Sequence, residues 1–330
     1  MILAPFEIHL PDSVPAALAL AREFAGSFDY IAGGTDMLQN YKNRLHSKPN
    51  VVSLELVPEL RGIAEGRIGA MERLSDVSRS PLVRERWPGL AEAITHVASP
   101  LVRNSATLGG NLLVETRCFF YNQTPFWRST KGSCMKAESD VCLVVPQKEI
   151  CWAAYSGDLA PILGVLGASI ELAGPDGARI VPVVEFYAGD GIRKNVLKAG
   201  EMIVAIRLPE DAAALRSGYR KLRSRDTLDY PEMGAAAATR LSSGDVVDVL
   251  RVATTAVDTV PHFADFTEEH RGRRLADVAA AVADAMMERA QPKKNTAMPV
   301  GYRKKMVGVY LRRLLEDLAA GRTEGRLRAA

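Results

Sequence analysis

Strand-like and helix-like segments follow one another along this chain without strict alternation, and this order restricts its fold more than any other feature. Three short runs, at 29–34, 50–56 and 202–210, are rich in β-branched residues and bounded by turn residues, which is typical of strands. The stretch from Val14 to Phe24 places its apolar residues on one face behind a capping Ser13, which is typical of a helix. Mixed elements of this kind predict an α+β protein.

The 330 residues, of which 47 % are hydrophobic, are sufficient for two or three folding units. We predict a first strand–helix–strand unit over 1–58 and a second unit over 59–210, which contains an extra loop at about 115–155. A third unit over 211–330 combines strands with two long helices. On the last helix we expect one buried apolar stripe with the charges on the opposite side: Val307, Leu311, Leu314, Leu315 and Leu318.

The charge balance and the absence of long, uninterrupted apolar segments exclude several classes of function. The chain has 42 basic and 39 acidic side chains, and a net charge of +3 is too small and too dispersed for a nucleic-acid-binding surface. The first residues lack the pattern of a secretion signal, and no run of eighteen apolar residues occurs. We therefore expect a cytoplasmic protein without a membrane span.

Two glycine pairs stand next to side chains that form hydrogen bonds. AGGTD at 32–36 directly follows a predicted strand, and ATLGGN at 106–111 follows a predicted helix and loop. A glycine pair lets backbone N–H groups converge on phosphate oxygens, because side chains are absent and positive φ is allowed. Each pair alone is also compatible with a tight turn, and neither fits the common dinucleotide or P-loop fingerprints.

All four cysteines of the chain lie in one window of 34 residues: Cys118, Cys134, Cys142 and Cys151. In a reducing compartment, clustered cysteines indicate metal ligands or redox groups rather than disulfides. Their spacing, C-x15-C-x7-C-x8-C, lacks the close pair that is common in structural zinc sites. An iron–sulfur cluster, a zinc ion and four buried thiols without a ligand remain the three interpretations.

Four segments together, AGGTD, NSATLGGN, GDLAPILGVLGA and GEMIVAIRLPE, resemble the FAD-binding subunit of the molybdenum hydroxylases. This is the family of the xanthine dehydrogenase and carbon monoxide dehydrogenase medium subunits. The resemblance extends over nearly the whole chain and keeps the family's order of motifs. It implies a two-part FAD-binding domain of the PCMH type and a C-terminal α+β domain, with the FAD pyrophosphate gripped between two glycine loops.

The same resemblance implies which residues contact FAD. They are Tyr30, Ile31, Ala32, Gly33, Gly34, Thr35, Asp36 and Met37 in the first loop, Ala106, Thr107, Leu108, Gly109, Gly110 and Asn111 in the second, and Asp158 and Lys221 beyond. Considered alone, an Asp or a Lys at the last two positions is typical of a surface charge. Neither loop contains a His or Cys, so we expect FAD to be held without a covalent bond.

The segment that carries the cysteines is an insertion relative to most of the family. Its RCFFYNQTPFWRS and GSC elements resemble the β subunits of one branch, the 4-hydroxybenzoyl-CoA reductases, which carry a 4Fe-4S cluster in this loop. The resemblance implies that Cys118, Cys134, Cys142 and Cys151 are the cluster ligands. We expect the aromatic residues around them to pack the loop and shield the cluster: Phe119, Phe120, Tyr121, Phe126, Trp127 and Trp152.

The chain shows no catalytic triad, paired-carboxylate signature or molybdenum-binding motif, so no catalytic residue is assigned to it. The resemblance implies a large molybdopterin subunit for the substrate, a small subunit with two 2Fe-2S clusters, and a heterotrimer that dimerises. This chain would then relay electrons from ferredoxin through FAD and the 4Fe-4S cluster. Two alternatives remain: a subunit with the same cofactors in a hydroxylase that oxidises another substrate, and a zinc-stapled scaffold without enzymatic function.

Overall fold

A computed structural model describes residues 3–322, so the outermost ends of the first and third predicted units lie outside the described residues. Within this range the chain forms three β-sheets of three, five and four strands, with helices packed between and around them. The mixed order of helices and strands confirms the predicted α+β class. We number the strands β1 to β12 and the helices α1 to α13 along the chain.

The first sheet is small and entirely parallel. Its strands are β1 (Glu7–His9), β2 (Phe28–Ile31) and β3 (Asn50–Ser53), in the spatial order β1-β3-β2. Helix α1 (Val14–Glu23) connects β1 to β2, and Ser13 caps it as predicted, accepting a hydrogen bond from the Ala16 N–H at 3.4 Å. Helix α2 (Met37–Lys42) follows β2.

The second sheet is antiparallel, with the spatial order β4-β5-β8-β6-β7. Its strands are β4 (Ile63–Ala64), β5 (Arg67–Gly69), β6 (Ser169–Gly174), β7 (Gly177–Pro182) and β8 (Met202–Arg207). Between β5 and β6 the chain forms a helical layer that also contains the cysteine window. Its helices are α3 (Leu74–Arg79), α4 (Pro81–Arg86), α5 (Pro88–Thr95), α6 (Pro100–Arg103), α7 (Leu108–Leu112), α8 (Pro125–Lys131) and α9 (Leu159–Val165), and α10 (Val183–Phe186) follows β7.

The third sheet belongs to the C-terminal domain and is antiparallel, in the order β12-β11-β10-β9. Its strands are β9 (Arg216–Leu222), β10 (Met233–Ser242), β11 (Val246–Thr255) and β12 (His262–Asp265). The helices α11 (Thr267–His270), α12 (Leu275–Arg289) and α13 (Val300–Ala319) complete the domain. Short 3-10 turns lie at Pro58–Leu60, Met135–Ala137 and Glu210–Ala214.

The third sheet is buried on both faces, and the sequence of β10 reflects this. Ala236 and Ala238 pack into the core that also contains the helices of the second sheet. Ala235 and Ala237, on the opposite face, pack into the core formed with α12 and α13. Because successive side chains of a strand point to opposite faces, a strand between two close layers requires small apolar residues on both.

Helix α13 confirms the predicted apolar stripe, because all five of its residues are fully buried: Val307, Leu311, Leu314, Leu315 and Leu318. The expectation that the charges lie on the opposite side is wrong at Arg303, which is also fully buried. Its guanidinium donates hydrogen bonds to the carbonyl oxygens of Glu232 and Lys293, each at 2.9 Å, and to that of Ala256. It lies 3.6 Å from the Glu232 carboxylate, and this ion pair helps to offset the desolvation cost of burying the guanidinium.

We expect Arg303→Met to lower the free energy of unfolding by about 3–5 kcal/mol, because it leaves Glu232 buried without its cation. Chemical denaturation measures this. Arg312→Met, on the same helix, is the control. Arg312 is half exposed and lies 3.8 Å from Glu316, so its removal should change stability by less than about 0.5 kcal/mol. Equal effects of the two variants would contradict the structural importance of Arg303.

Candidate functional site

A cavity of about 410 Å³ lies where the first sheet, the helical layer and the C-terminal domain meet. Most of the predicted FAD-contacting residues line it: Tyr30, Ala32, Gly33, Gly34, Thr35, Asp36, Met37, Ala106, Thr107, Gly109, Gly110, Asn111 and Asp158. Three do not. Ile31 ends β2, Leu108 is fully buried in the core, and Lys221 reaches the cavity only through Asp158.

The first glycine loop turns the chain from β2 into α2, and its two glycines serve different purposes. Gly34 has a φ of +68°, a conformation that residues with a side chain rarely adopt. Gly33 lies directly against the second glycine loop. A Cβ atom at Gly33 would stand 1.9 Å from the carbonyl oxygen of Ser105, so only glycine permits this approach.

The first loop presents backbone donors to the cavity. Within residues 3–322, the N–H groups of Gly33, Gly34 and Thr35 donate to no acceptor of the chain. The cavity lining in the described part of the chain contains no Lys, Arg or His. An anionic group in this cavity would therefore be held by backbone N–H groups and hydroxyls, as expected for a glycine loop that binds phosphate.

The second glycine loop is built differently from the first. Thr107 caps α7 and accepts a hydrogen bond from the Gly110 N–H at 3.2 Å, and the Gly109 N–H donates to Ala70 at 2.9 Å. Neither glycine has a positive φ, so the expectation of positive φ at this pair is wrong. Close approach is the reason for glycine here, because a Cβ at Gly109 would lie 2.8 Å from the Cβ of Ala70.

Asp158 and Lys221 form a buried ion pair rather than two surface charges. The Lys221 Nζ lies 3.0 Å from the Asp158 carboxylate, which also accepts a hydrogen bond from the Tyr219 hydroxyl at 2.8 Å. Lys221 donates a further hydrogen bond to the His96 carbonyl oxygen at 3.0 Å. Burial raises the pKa of Asp158 and lowers that of Lys221, while their mutual attraction opposes both shifts.

Sequence reasoning missed the apolar walls of the cavity and the loop that closes it. The walls come from β8, from the helical layer and from the turns beside them: Leu54, Met71, Val97, Val102, Leu113, Val114, Met202 and Ile203. The loop contributes Leu228, Asp229 and Tyr230, between β9 and β10. Ordinary core residues carry no signal of which of them face a cavity, and this loop has no recognisable motif.

The four cysteines converge although up to 33 positions separate them in sequence. All are buried and free of disulfides, and together they line one space of about 10 Å³: Cys118, Cys134, Cys142 and Cys151. Burial raises the pKa of Cys118 to about 12 and that of Cys151 to about 11. Within residues 3–322, no group of three or more Cys, His, Asp or Glu is arranged to hold a metal ion.

The aromatic residues of the cysteine window divide into two groups. Phe120 and Tyr121 line the thiol space, as predicted for shielding residues. Phe119 is 45 % exposed and Phe126 is 80 % exposed, so the prediction that these two residues pack the loop is wrong. Phe126 lies on α8, which Thr124 caps and none of whose residues is buried.

A buried carboxylate anchors the cysteine window to the helical layer. Glu115 accepts hydrogen bonds at 2.5 Å from both Lys136 and Lys194, and Lys136 also lines the thiol space. Burial raises the pKa of Glu115, but Lys194 and Lys136 more than offset this and lower it to about 2.

A second cavity of about 430 Å³, lined mainly by polar residues, shares residues with both the first cavity and the thiol space. It shares Ser156, Asp229 and Tyr230 with the first cavity, and Cys118 borders it on the other side. The second cavity therefore adjoins both candidate cofactor sites.

Comparison with known proteins identifies the family. The profile of the "FAD binding domain in molybdopterin dehydrogenase" matches residues 4–211, which is more than half of the chain. The chain belongs to this family. A second profile, "CO dehydrogenase flavoprotein C-terminal domain", matches residues 217–318. This FAD-binding subunit of the molybdenum hydroxylase family therefore has the predicted PCMH-type domain followed by the C-terminal domain.

Individual relatives agree with this assignment. The carbon monoxide dehydrogenase medium chain of Hydrogenophaga pseudoflava is 30 % identical over 325 residues, 96 % of this chain and 97 % of the relative. The aldehyde oxidoreductase FAD-binding subunit PaoB of Escherichia coli is 30 % identical over 293 residues, 85 % of this chain and 89 % of the relative. The chain is thus a subunit of an oxidoreductase.

The fold agrees with a solved structure of the same kind. A chain of the carbon monoxide dehydrogenase from Hydrogenophaga pseudoflava superimposes with a TM-score of 0.79 and 28 % identity, covering 98 % of this chain and 100 % of that chain. Among the described residues, no helix is both long and apolar enough to cross a membrane.

We expect Gly34→Val to lower the FAD content of the purified protein, because a β-branched residue strains the loop at φ +68°. Gly244→Val is the matched control. Gly244 has a φ of +76° in the β10–β11 turn, with no atom within 4 Å of an added Cβ. Both variants should lose about 1–2 kcal/mol of stability from backbone strain, but only Gly34→Val should lose FAD. Full flavin occupancy in Gly34→Val would identify the first loop as an ordinary turn.

Proposed function

We propose that this FAD-binding subunit also carries a 4Fe-4S cluster and supplies electrons to a molybdenum-dependent 4-hydroxybenzoyl-CoA reductase. The observation that carries the proposal is the convergence of all four thiols on one space, which adjoins the second cavity at Cys118. Cys118 borders both this space and the polar cavity that adjoins the FAD cavity. A one-electron centre at this position would be close to the flavin, as an electron-transfer subunit requires.

The cavity residues fit FAD in type and arrangement. The free N–H groups of the first loop suit the anionic pyrophosphate, and the apolar walls suit the flat ring systems of the cofactor. We propose both glycine loops as the pyrophosphate site, with Asp158 beside the cofactor and Lys221 supporting it through their ion pair. FAD supplies the electron-carrying chemistry, and the chain binds it and shields it from water.

The thiols fit a 4Fe-4S cluster in type and number, since four cysteine thiolates are its usual ligands. The space of about 10 Å³ between them is only large enough for one water molecule, so a cluster requires the window to open. The thiols must also lose their protons on binding, against the raised pKa values of Cys118 and Cys151. A single zinc ion is less well supported, because the spacing C-x15-C-x7-C-x8-C lacks the close cysteine pair that is common in structural zinc sites.

The remaining parts of the proposal concern the complex. We propose a large molybdopterin subunit for the aryl-CoA substrate, a small subunit with two 2Fe-2S clusters, a dimer of such heterotrimers, and ferredoxin as the donor. The cytoplasmic location and the unit boundaries at 58/59 and 210/211 belong to the same proposal. In this arrangement the substrate is reduced on the partner subunit, and this chain provides no catalytic residue.

One observation favours a second candidate function. The relatives at 30 % identity are named as a carbon monoxide dehydrogenase chain and an aldehyde oxidoreductase subunit, and neither name is that of a reductase. A complex of that kind would pass electrons outward through this chain. Assays of the purified complex with reduced ferredoxin and 4-hydroxybenzoyl-CoA, and with aldehydes and an oxidising dye, distinguish the two directions.

We expect FAD to be bound without a covalent link, because no His or Cys lines its cavity within residues 3–322. Precipitation of the protein with acid should release all the yellow colour into the supernatant. Flavin that remains in the pellet would contradict this arrangement of the site.

We expect anaerobically purified protein to contain about four irons and four inorganic sulfides per chain. Cys134→Ser should remove or convert the cluster while FAD stays bound, because the glycine loops lie outside the cysteine window. Ser133→Ala, at the exposed neighbouring position, should change neither. Stoichiometric zinc, or unchanged iron in Cys134→Ser, would overturn the cluster assignment.

A further inference from the structure

Asp36 connects three parts of the molecule at the mouth of the FAD cavity. Its Oδ2 atom accepts hydrogen bonds from the backbone N–H of Glu115 at 2.9 Å and from the Asn40 amide at 3.3 Å. Its Oδ1 atom accepts a hydrogen bond from the Tyr230 hydroxyl at 3.1 Å and lies 3.9 Å from the Arg117 guanidinium. Both carboxylate oxygens are therefore engaged by groups of the protein.

This arrangement is unusual for the position that Asp36 occupies. It precedes the first residue of α2, where an Asp side chain normally accepts a hydrogen bond from its own helix. Here the carboxylate makes no capping hydrogen bond and turns toward groups 79 and 194 positions along the chain. Asp36 thus acts as a cross-link between distant segments rather than as a helix cap.

Tyr230 and Arg117 complete a closed set of contacts with Asp36. The Arg117 guanidinium lies 4.5 Å from the centroid of the Tyr230 ring, a cation–π distance. Tyr230 lines the FAD cavity from the loop between β9 and β10. The charge of Arg117 also offsets that of Asp36, which would otherwise repel an anionic pyrophosphate.

We propose that Asp36, Tyr230 and Arg117 form a latch that holds the loop Leu228 to Tyr230 over bound FAD. Asp36 is then a positioning residue that governs how fast FAD leaves the cavity. The proposal rests on the proposed FAD site. For FAD to leave, this loop must move away from the first glycine loop, and that movement breaks the hydrogen bond between Tyr230 and Asp36.

The test compares the rate of FAD release from the FAD-loaded chain between the wild type and its variants. Release is monitored as the rise of free-flavin fluorescence after dilution. Tyr230→Phe removes the hydroxyl and keeps the ring beside Arg117, and Asp36→Asn removes the charge and keeps the shape. Each variant should release FAD about ten-fold faster, because a hydrogen bond to a charged group is lost. Tyr302→Phe, on α13 and 46 % exposed, should release FAD at the wild-type rate.

The double variant provides the sharpest outcome. Since one substitution removes the donor of this hydrogen bond and the other removes the charge of its acceptor, the double variant should release FAD no faster than the faster single variant. Additive effects, or a wild-type rate in Tyr230→Phe, would overturn the latch. The melting temperature of FAD-free Tyr230→Phe should lie only a few degrees below that of the FAD-free wild type, because the fold loses one hydrogen bond, and a larger drop would show a general structural role instead.

Different experimental outcomes would contradict the latch and the FAD site. A wild-type chain that binds no FAD would contradict the proposed function itself. A wild-type chain that binds FAD, with release rates unchanged in the variants, would contradict the latch alone.

Discussion

The contact between Gly33 and the backbone of Ser105 is the constraint on which the cofactor cavity depends. It brings the end of a parallel sheet against the loop that precedes α7, with no space for a single additional carbon atom. The N–H groups of the first loop and the apolar walls of the helical layer face the same cavity because the two loops meet there. A side chain at position 33 would push the first sheet away from the helical layer, rather than disturb one turn.

The cavity is also a product of the whole chain rather than of one domain. Its lining extends from Tyr30 to Tyr230 and includes the first loop, the helical layer, β8 and the C-terminal domain. The buried pair of Asp158 and Lys221 joins the helical layer to β9 just behind the cavity wall. Such a site forms only after all three sheets have packed, so cofactor binding stabilises the complete fold and not an isolated part of it.

Most secondary-structure elements and both glycine loops could be predicted from the sequence, because both kinds of feature have local signatures. Ser13, the apolar stripe of α13 and the strand that begins at Met202 follow from periodicity and capping alone. The three-residue strand β1 was missed because it is too short to show alternation. Family resemblance was needed to select Asp158 and Lys221, since neither burial nor an ion pair across 63 positions has a signal in one sequence.

Other features depend on tertiary contacts that no local pattern encodes. Arg303 looks like any charged residue of an amphipathic helix, and only the carbonyl groups and carboxylate around it explain its burial. The geometry of Gly110 differed from expectation because the pair starts a helix, where ordinary negative φ applies. Tyr230 and the polar cavity were missed because they arise where separate segments meet.

The four alanines of β10 restrict which substitutions this strand can tolerate. A sheet with one face in solvent can accept new polar or larger residues at every second position. This strand is covered on both sides, so the volume of the side chain at each position is restricted, by one layer at even positions and by the opposite layer at odd positions. We therefore expect larger or polar residues to be tolerated better in the loops of the C-terminal domain than in β10, and one of those loops lines the cofactor cavity.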